Sequence, residues 1–387
     1  MENKKINLLV VGLGNWAKSS LLMLKEHNIE NIVDKCILIS RSKKNTLFVK
    51  KLRLKIKHKI YTNLKLALYE NNINAIYICT PDHLHIHFIN KILKITKNKE
   101  KIHFLIEKPF GTNTNSIIQT MNKLGYTYKK GHFFPTMNAG FVMIDWHKKY
   151  SPQQKQLVHM IKNNNLGKLK SIRIRYLDKK MVLSKKFISW FKKTNVFSFL
   201  AGQYIDLIFH TFPDFVPKKM VVVAYKNRDG CITEATLCIN IQHKIKLYSA
   251  LVTMIVTCNE PDNNYTLTEQ DIVFVFENAK IKIDTTGRDF ELIDKTGISF
   301  INVHSRTGLT DAWENDFVTY GYTYESQKRW LYTVYNIINK NKTISESIKQ
   351  YPISIFPEII IEYCNRSLTK VKTKSNIIFG KISKIKI

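Results

Sequence analysis

Short apolar runs separated by segments of helical period set the pattern of the first 130 residues. The runs at 6–11, 36–40, 75–80 and 102–106 are rich in Ile, Val, Leu and Phe and lack clean alternation. Strands buried on both faces carry that signature. Between them the period predicts helices over 16–27, 64–71 and 83–95. Strand and helix in alternation imply a doubly wound parallel sheet. After Gly131 the pattern changes. Helices are expected at 153–164 and 197–212, and long β runs at 169–176, 220–225, 233–241, 246–257, 272–276 and 280–283. Glu277-Asn278-Ala279 offers a turn between the last two. Successive strands with few helices imply a large, mostly antiparallel sheet with one face covered by helices. Two more helical segments are expected over 324–339 and from 344 into the low 350s, and the basic tail after Asn365 shows no clear period.

The first strand runs into a corner that carries chemistry. In "NLLVVGLGNWAKSS", Gly12-x-Gly14-x-x-Ala17 follows a strand and opens a helix. The first glycine permits the sharp turn, and the second leaves room for a pyrophosphate. Ala17 lets helix and strand pack closely, and free N–H groups at the helix start face the anion. With Asn15 and Trp16 these residues form the expected phosphate cradle; the plainer alternative is a turn that needs two glycines. A ribose-binding carboxylate belongs just past the second strand, whereas Asp34 precedes it. That strand ends in Ser40-Arg41-Ser42-Lys43-Lys44. Hydroxyls and a guanidinium suit a 2′-phosphate, so Ser40, Arg41 and Ser42 predict NADP in preference to NAD. A solvated basic loop is the competing account. The expected class is thus α/β: an N-terminal Rossmann domain over 1–130, then an α+β substrate-binding and oligomerisation domain over 131–387. A chain of 387 residues is long enough for two cores.

The third corner, "CTPDHLHIHFINKIL", holds His83, His85 and His87. On a helix only His83 and His87 share a face, and no carboxylate or cysteine joins them at ligand spacing, so no metal is expected. A fourth strand ends in Glu107-Lys108-Pro109. A lysine at that end of a parallel strand faces the crevice where such sheets bind ligands, and its ammonium can stabilise charge developing on an oxygen. Farther on, "FSFLAGQYIDLIFHTF" is almost wholly apolar yet carries Asp206 and His210. At i and i+4 they share a helical face. An adjacent carboxylate is expected to raise the imidazole's pKa and orient its ring; a structural ion pair is the bland alternative.

Together these features resemble the Gfo/Idh/MocA oxidoreductases, the family of glucose–fructose oxidoreductase and inositol dehydrogenase. The resemblance rests on the Gly12/Gly14/Ala17 corner, Thr80-Pro81 with His85 four positions later, Glu107-Lys108-Pro109 and Asp206-x-x-x-His210. Trp190 falls where the family often has a tryptophan, and "NNNLGKLKSIRIRYL" looks like the entry to its second domain. The resemblance implies that Thr80, Pro81, His85, Glu107 and Lys108 border the cofactor, and that Pro109 follows a cis bond. It also implies that Lys108 holds the reacting oxygen, that His210 exchanges its proton, and that Asp206 positions both. It predicts an NADP(H)-dependent enzyme acting on a sugar, cyclitol or related small molecule, with imine or other carbonyl reduction as an alternative. A nucleotide-binding sensor without catalysis is a third possibility. A homo-oligomer built on the open sheet face is also implied. Leu200-Ala201-Gly202-Gln203 departs from the family's glycines, and Gln203 and Tyr204 are expected to narrow the pocket.

The net charge of +31 changes this picture little. Lysines are spread evenly among Ile and Asn without a block of five or six, as a bias in codon usage produces. No nucleic-acid partner is expected, because basic residues interleaved with exposed aromatics are not clustered. The six cysteines show neither a CxxC nor a zinc spacing, and no apolar stretch approaches 18 residues. The expectation is a cytoplasmic protein with no metal and no membrane span.

Overall fold

The computed structural model describes residues 3–26, 29–40, 43–52, 54–96, 101–163, 166–183, 190–246, 248–263, 268–284, 290–295, 297–300, 308–309, 319–320, 325–369 and 377–385. Packing divides the chain into one unit of Met1–His147 with Thr307–Ile355 and another of Lys148–Arg306 with Phe356–Ile387. This partition differs from 1–130 and 131–387 for a physical reason. Val142–Ile144 adds a sixth parallel strand beside His103–Ile106, and Ile353–Ser354 pairs with His132–Pro135.

The first unit is built on a parallel sheet in the order Lys57–Tyr61, Val33–Ile39, Ile6–Val11, Ala75–Ile78, His103–Ile106, Val142–Ile144. Its central strands are apolar on both faces: Ala75–Ile78 and His103–Ile106 are buried at every position. The order reverses between Ile6–Val11 and Ala75–Ile78, and the crevice at such a switch point is where ligands bind. Helices Asn15–Glu26, Leu64–Asn71, His85–Thr96 and Thr114–Lys123 connect the strands. Asn63 caps Leu64–Asn71 by accepting from the Lys65 and Leu66 N–H groups.

Two elements here escape the hydrophobic pattern. Lys43–Leu52 is a helix that opens on lysines, and Lys57–Tyr61 is an edge strand exposed at three of five positions. Edge strands carry lysine as protection against further pairing, which erases the apolar signature. A hairpin of Tyr126–Lys129 and His132–Pro135 turns through Lys130 and Gly131, both at positive φ. Glu325–Ile338 and Ile344–Gln350 are helical as expected, the second closed by a capping box of Thr343 and Glu346.

The second unit carries a nine-stranded mixed sheet. Its order is Gly297–Phe300, Phe290–Asp294, Lys280–Asp284, Thr268–Phe276, Leu169–Lys179, Ser249–Glu260, Ile232–His243, Phe215–Lys226 and Ile377–Ile382. Only Leu169–Lys179 and Ser249–Glu260 run parallel. Ile232–His243 alternates buried residues with half-buried or exposed ones along its length, as a strand covered on one face does. Helices Gly202–Thr211 and Phe356–Thr369 pack together in this unit, with Phe209 and Phe356 ring centroids 4.6 Å apart. Phe356–Thr369 was not among the expected helices, and Ile377–Ile382 lies in the tail that showed no clear period. Among the described residues no helix is long and apolar enough to cross a membrane.

Candidate active site

The sequence-derived residues of the first unit follow the carboxyl ends of its strands. Gly12 lies past Val11 with φ +96°, and a Cβ there would stand 2.7 Å from the Cys79 carbonyl oxygen. The corner therefore touches the loop after Ala75–Ile78, and only glycine fits. Gly14 is the opposite case: nothing lies within 4 Å of where its Cβ would be, and the residue is exposed. This leaves an open approach to the start of Asn15–Glu26, whose Lys18 N–H bonds back to the Gly14 carbonyl. Ala17 is fully buried. The Trp16 ring stacks on His147 at 5.7 Å. These residues fit a dinucleotide pyrophosphate, since they combine an uncrowded glycine with a helix N-terminus.

Asn45, which sequence reading missed, fastens this corner to the next. Its amide donates to the Leu13 carbonyl at 2.8 Å and to Ser40 Oγ at 3.2 Å. Ser40 is thereby buried and engaged rather than displayed. Arg41 and Ser42 lie outside the described residues.

Thr80 and Pro81 form the loop beside Gly12, and the Thr80 hydroxyl is buried without a hydrogen-bond partner among the described residues. His85 is 1% exposed and spends both ring nitrogens on backbone carbonyls, Nε2 on Thr80 at 2.7 Å and Nδ1 on Pro109 at 2.8 Å. It joins two loops, the one after Ala75–Ile78 and the one after His103–Ile106. Among the described residues no group of three His, Cys, Asp or Glu could hold a metal. His83 lies 3.5 Å from Asp82, and His87 meets Phe88 edge-on.

Glu107, Lys108 and Pro109 follow His103–Ile106, with the Lys108–Pro109 bond cis. Glu107 is engaged by the protein at both carboxyl oxygens. Its Oε1 accepts from the Tyr77 hydroxyl at 2.6 Å, and its Oε2 from the Lys108 N–H at 3.2 Å. Beneath it lies Asp145, wholly buried, which the sequence did not single out. Asp145 accepts from the Ser326 hydroxyl and from Gln327 Nε2 at 3.1 Å, and Tyr77 Oη lies 3.3 Å away. Burial, followed by the Asp145 charge, pushes the Glu107 carboxyl well above the usual carboxylate range.

In the second unit a π-helical turn, Phe197–Ala201, runs into the helix Gly202–Thr211. Asp206 and His210 share a face as the i, i+4 spacing required. The partner of Asp206 is a lysine rather than the imidazole: Lys149 Nζ lies 3.2 Å from its Oδ2. Burial raises the Asp206 pKa, and Lys149 opposes that. The expectation of a raised His210 fails. Burial, followed by the Lys149 charge, brings it down to about 3, so the ring is neutral near pH 7. Lys149 carried no motif signal, being one lysine among many.

Tyr204 lies in the core of its unit. It is 1% exposed and donates to Gln270 Oε1 at 2.7 Å, which also accepts from Lys148. The Lys148 ammonium lies 5.4 Å from the Tyr176 ring centroid and 5.2 Å from that of Tyr204. Gln203 is 5% exposed, and its amide oxygen has no partner among the described residues. At three and seven positions before Asp206 and His210, it lies on their face of the helix. Trp190 precedes a 3-10 turn, Phe191–Lys193, and is half-buried.

Residues 6–131 match the Gfo/Idh/MocA family, described as an oxidoreductase family with an NAD-binding Rossmann fold. Solved structures share the fold over nearly the whole chain. One is scyllo-inositol dehydrogenase from Lactobacillus casei with bound NAD(H) and scyllo-inositol, with TM-score 0.64, 15% identity, and 97% of this chain and 99% of that one covered. Another is myo-inositol 2-dehydrogenase from Lactobacillus plantarum, with TM-score 0.63, 14% identity, and 95% and 98% covered. A third is an oxidoreductase from Agrobacterium radiobacter in complex with NAD+, L-tartaric acid and magnesium, with TM-score 0.68, 10% identity, and 96% and 99% covered. At these identities the likeness establishes the fold. No curated protein sequence matches the chain.

Proposed function

We propose, from the match of residues 6–131 to the Gfo/Idh/MocA oxidoreductases, that the chain belongs to this family and is an NAD(P)-dependent enzyme acting on CH–OH groups. The substrate class proposed is a sugar, cyclitol or related small molecule, in keeping with the inositol dehydrogenases that share its fold. The observation that carries the reading is an uncrowded glycine corner and a lysine at strand ends on either side of the sheet's switch point. Gly12, Gly14, Asn15, Trp16 and Ala17 would hold the pyrophosphate. When bound, the nicotinamide supplies a hydride acceptor or donor.

The chain's own residues supply the rest. Lys108 offers an ammonium to the reacting oxygen, stabilising charge as it develops there. His210, neutral near pH 7, accepts the hydroxyl proton in the oxidative direction. Asp206, held by Lys149, positions that helix face. We propose NADP over NAD because the segment after Val33–Ile39 lacks a carboxylate to repel a 2′-phosphate. Six unpaired cysteines support a reducing compartment such as the cytoplasm. The open face of the nine-stranded sheet is proposed to pair with a second copy.

A substrate panel followed by NADPH and NADH absorbance tests this. Lys108→Met and His210→Ala are each expected to lower turnover by roughly 10²–10⁴-fold. Undiminished turnover in both variants would refute the site, and a smaller Kd for NADH than for NADPH would refute the cofactor preference.

A further inference from the structure

Two carboxyl groups meet at one phenol beneath the proposed reactive lysine. Tyr77 Oη lies 2.6 Å from Glu107 Oε1 and 3.3 Å from Asp145 Oδ2, so one phenol oxygen bridges the two carboxyls. Two acids so placed away from water cannot both ionise. We propose that Glu107 and Asp145 share one proton, carried on Glu107, and that this neutral acid is a positioning residue for Lys108. The proposal rests on the reading of Lys108 given above.

The donors decide which group is charged. Asp145 receives the Ser326 hydroxyl and the Gln327 amide, both in the first turn of the 14-residue helix Glu325–Ile338. A helix start favours negative charge, so the anion belongs on Asp145. Gln327 Nε2 also reaches Tyr77 Oη at 3.2 Å, which fixes the phenol between the two acids. The Cys79 thiol and Lys108 are the other ionisable groups whose charges act on Glu107. Burial raises the Cys79 thiol well above its ordinary range, so it stays neutral and does not compete for the charge.

This division of charge serves the lysine. Glu107 Oε2 accepts the Lys108 N–H and thereby fixes its backbone. Because Glu107 is neutral, no carboxylate charge sits on the adjacent residue to draw the ammonium away from a substrate oxygen. Asp145, the carboxyl paired with it through Tyr77, is held in turn by Ser326 and Gln327, which return from more than 180 residues away. Docking of that helix is thus part of placing Lys108.

The experiment contrasts isosteric and truncating variants. Glu107→Ala is expected to lower kcat at least tenfold with the KM for the cofactor little changed. Glu107→Gln, whose amide copies a neutral acid, is expected to recover most of that loss. Asp145→Asn turns an NH₂ group on two donors and is expected to lower kcat at least tenfold without recovery, with Ser326→Ala as a milder variant of the same kind. Infrared spectra of the wild-type protein should show a neutral-carboxyl band that disappears in Glu107→Gln. Loss of activity in Glu107→Gln equal to that in Glu107→Ala would overturn the positioning role, and persistence of the band would overturn the shared proton. Full turnover in Lys108→Met would instead refute the reading of the lysine, while the infrared result would still decide where the proton lies.

Discussion

Gly12 and Gly14 stand two residues apart in one motif, and the structure gives them separate tasks. Gly12→Ala places a Cβ 2.7 Å from the Cys79 carbonyl oxygen at a φ of +96°, so it is expected to destabilise the protein by at least about 2 kcal/mol in urea unfolding. Gly14→Ala meets no protein atom, so its unfolding midpoint should stay within about 0.5 kcal/mol of wild type while the cofactor Kd rises at least tenfold. Gln203 shows a similar division of cost. Its amide oxygen is buried without a partner among the described residues. Gln203→Leu is therefore expected to raise stability by about 1 kcal/mol and to raise the KM of a hydroxyl-bearing substrate. The two glycines were legible as a pair in the sequence. Which one serves the fold and which leaves space for a ligand depends on Cys79, whose position relative to Gly12 no spacing rule contains.

At the scale of elements, the helix Gly202–Thr211 shows how a period can be right and a partnership wrong. Its i, i+4 spacing put Asp206 and His210 on one face, but Asp206 is satisfied by Lys149 from the short turn His147–Tyr150. Lys149→Met leaves a buried carboxylate uncompensated and is expected to cost about 3 kcal/mol or more at pH 7. The loss should shrink as the pH falls, because the folded-state pKa of Asp206 is raised and protonation removes the unpaired charge. Thermal melts of the variant and wild type at pH 5 and pH 7 measure both effects. Strands buried on both faces were legible from composition. The edge strand Lys57–Tyr61 was not, since half its surroundings are water and its lysines hide it. Phe356–Thr369 escaped for the reverse reason: its apolar run, Ile359-Ile360-Ile361, is buried all round and shows no period.

At the scale of the whole molecule, two histidines in different units resist protonation. Burial brings His103 down to about 4 and His210 down to about 3, against an ordinary 6.5. Below pH 6.5 the unfolded chain takes up these protons and the folded chain does not, so their contribution to stability falls as pH drops from about 6.5 to 4. Glu107 and Asp206, with raised values, act in the opposite direction above the ordinary carboxylate range. The histidine contribution is therefore read as the difference in slope of Tm against pH between wild type and His103→Gln, whose slope over pH 4–6.5 should be the shallower. The open face of the nine-stranded sheet has a mixed character. One register row passes from Phe379, Val223, Thr236 and Ile255 to Arg175, Asp271 and Asp284. Phe379 is 53% exposed and Leu251 48%. A double variant, Leu251→Glu with Phe379→Glu, is expected to sediment as a monomer where the wild type sediments as a larger species.

The amino-acid sequence alone determined what is local: which strands are buried on both faces, where helices lie between them, where the glycine corner turns, and which side chains share a helical face. Those properties follow from backbone period and from the steric limits of single residues. Tertiary structure alone decided which groups meet across the chain and what charge they carry. Tyr77 and Gln327 are 250 positions apart, and Asp206 is 57 from the lysine that neutralises it. A hydrophobic pattern records that a position is covered, but a proton's preferred site depends on the donors and charges that do the covering.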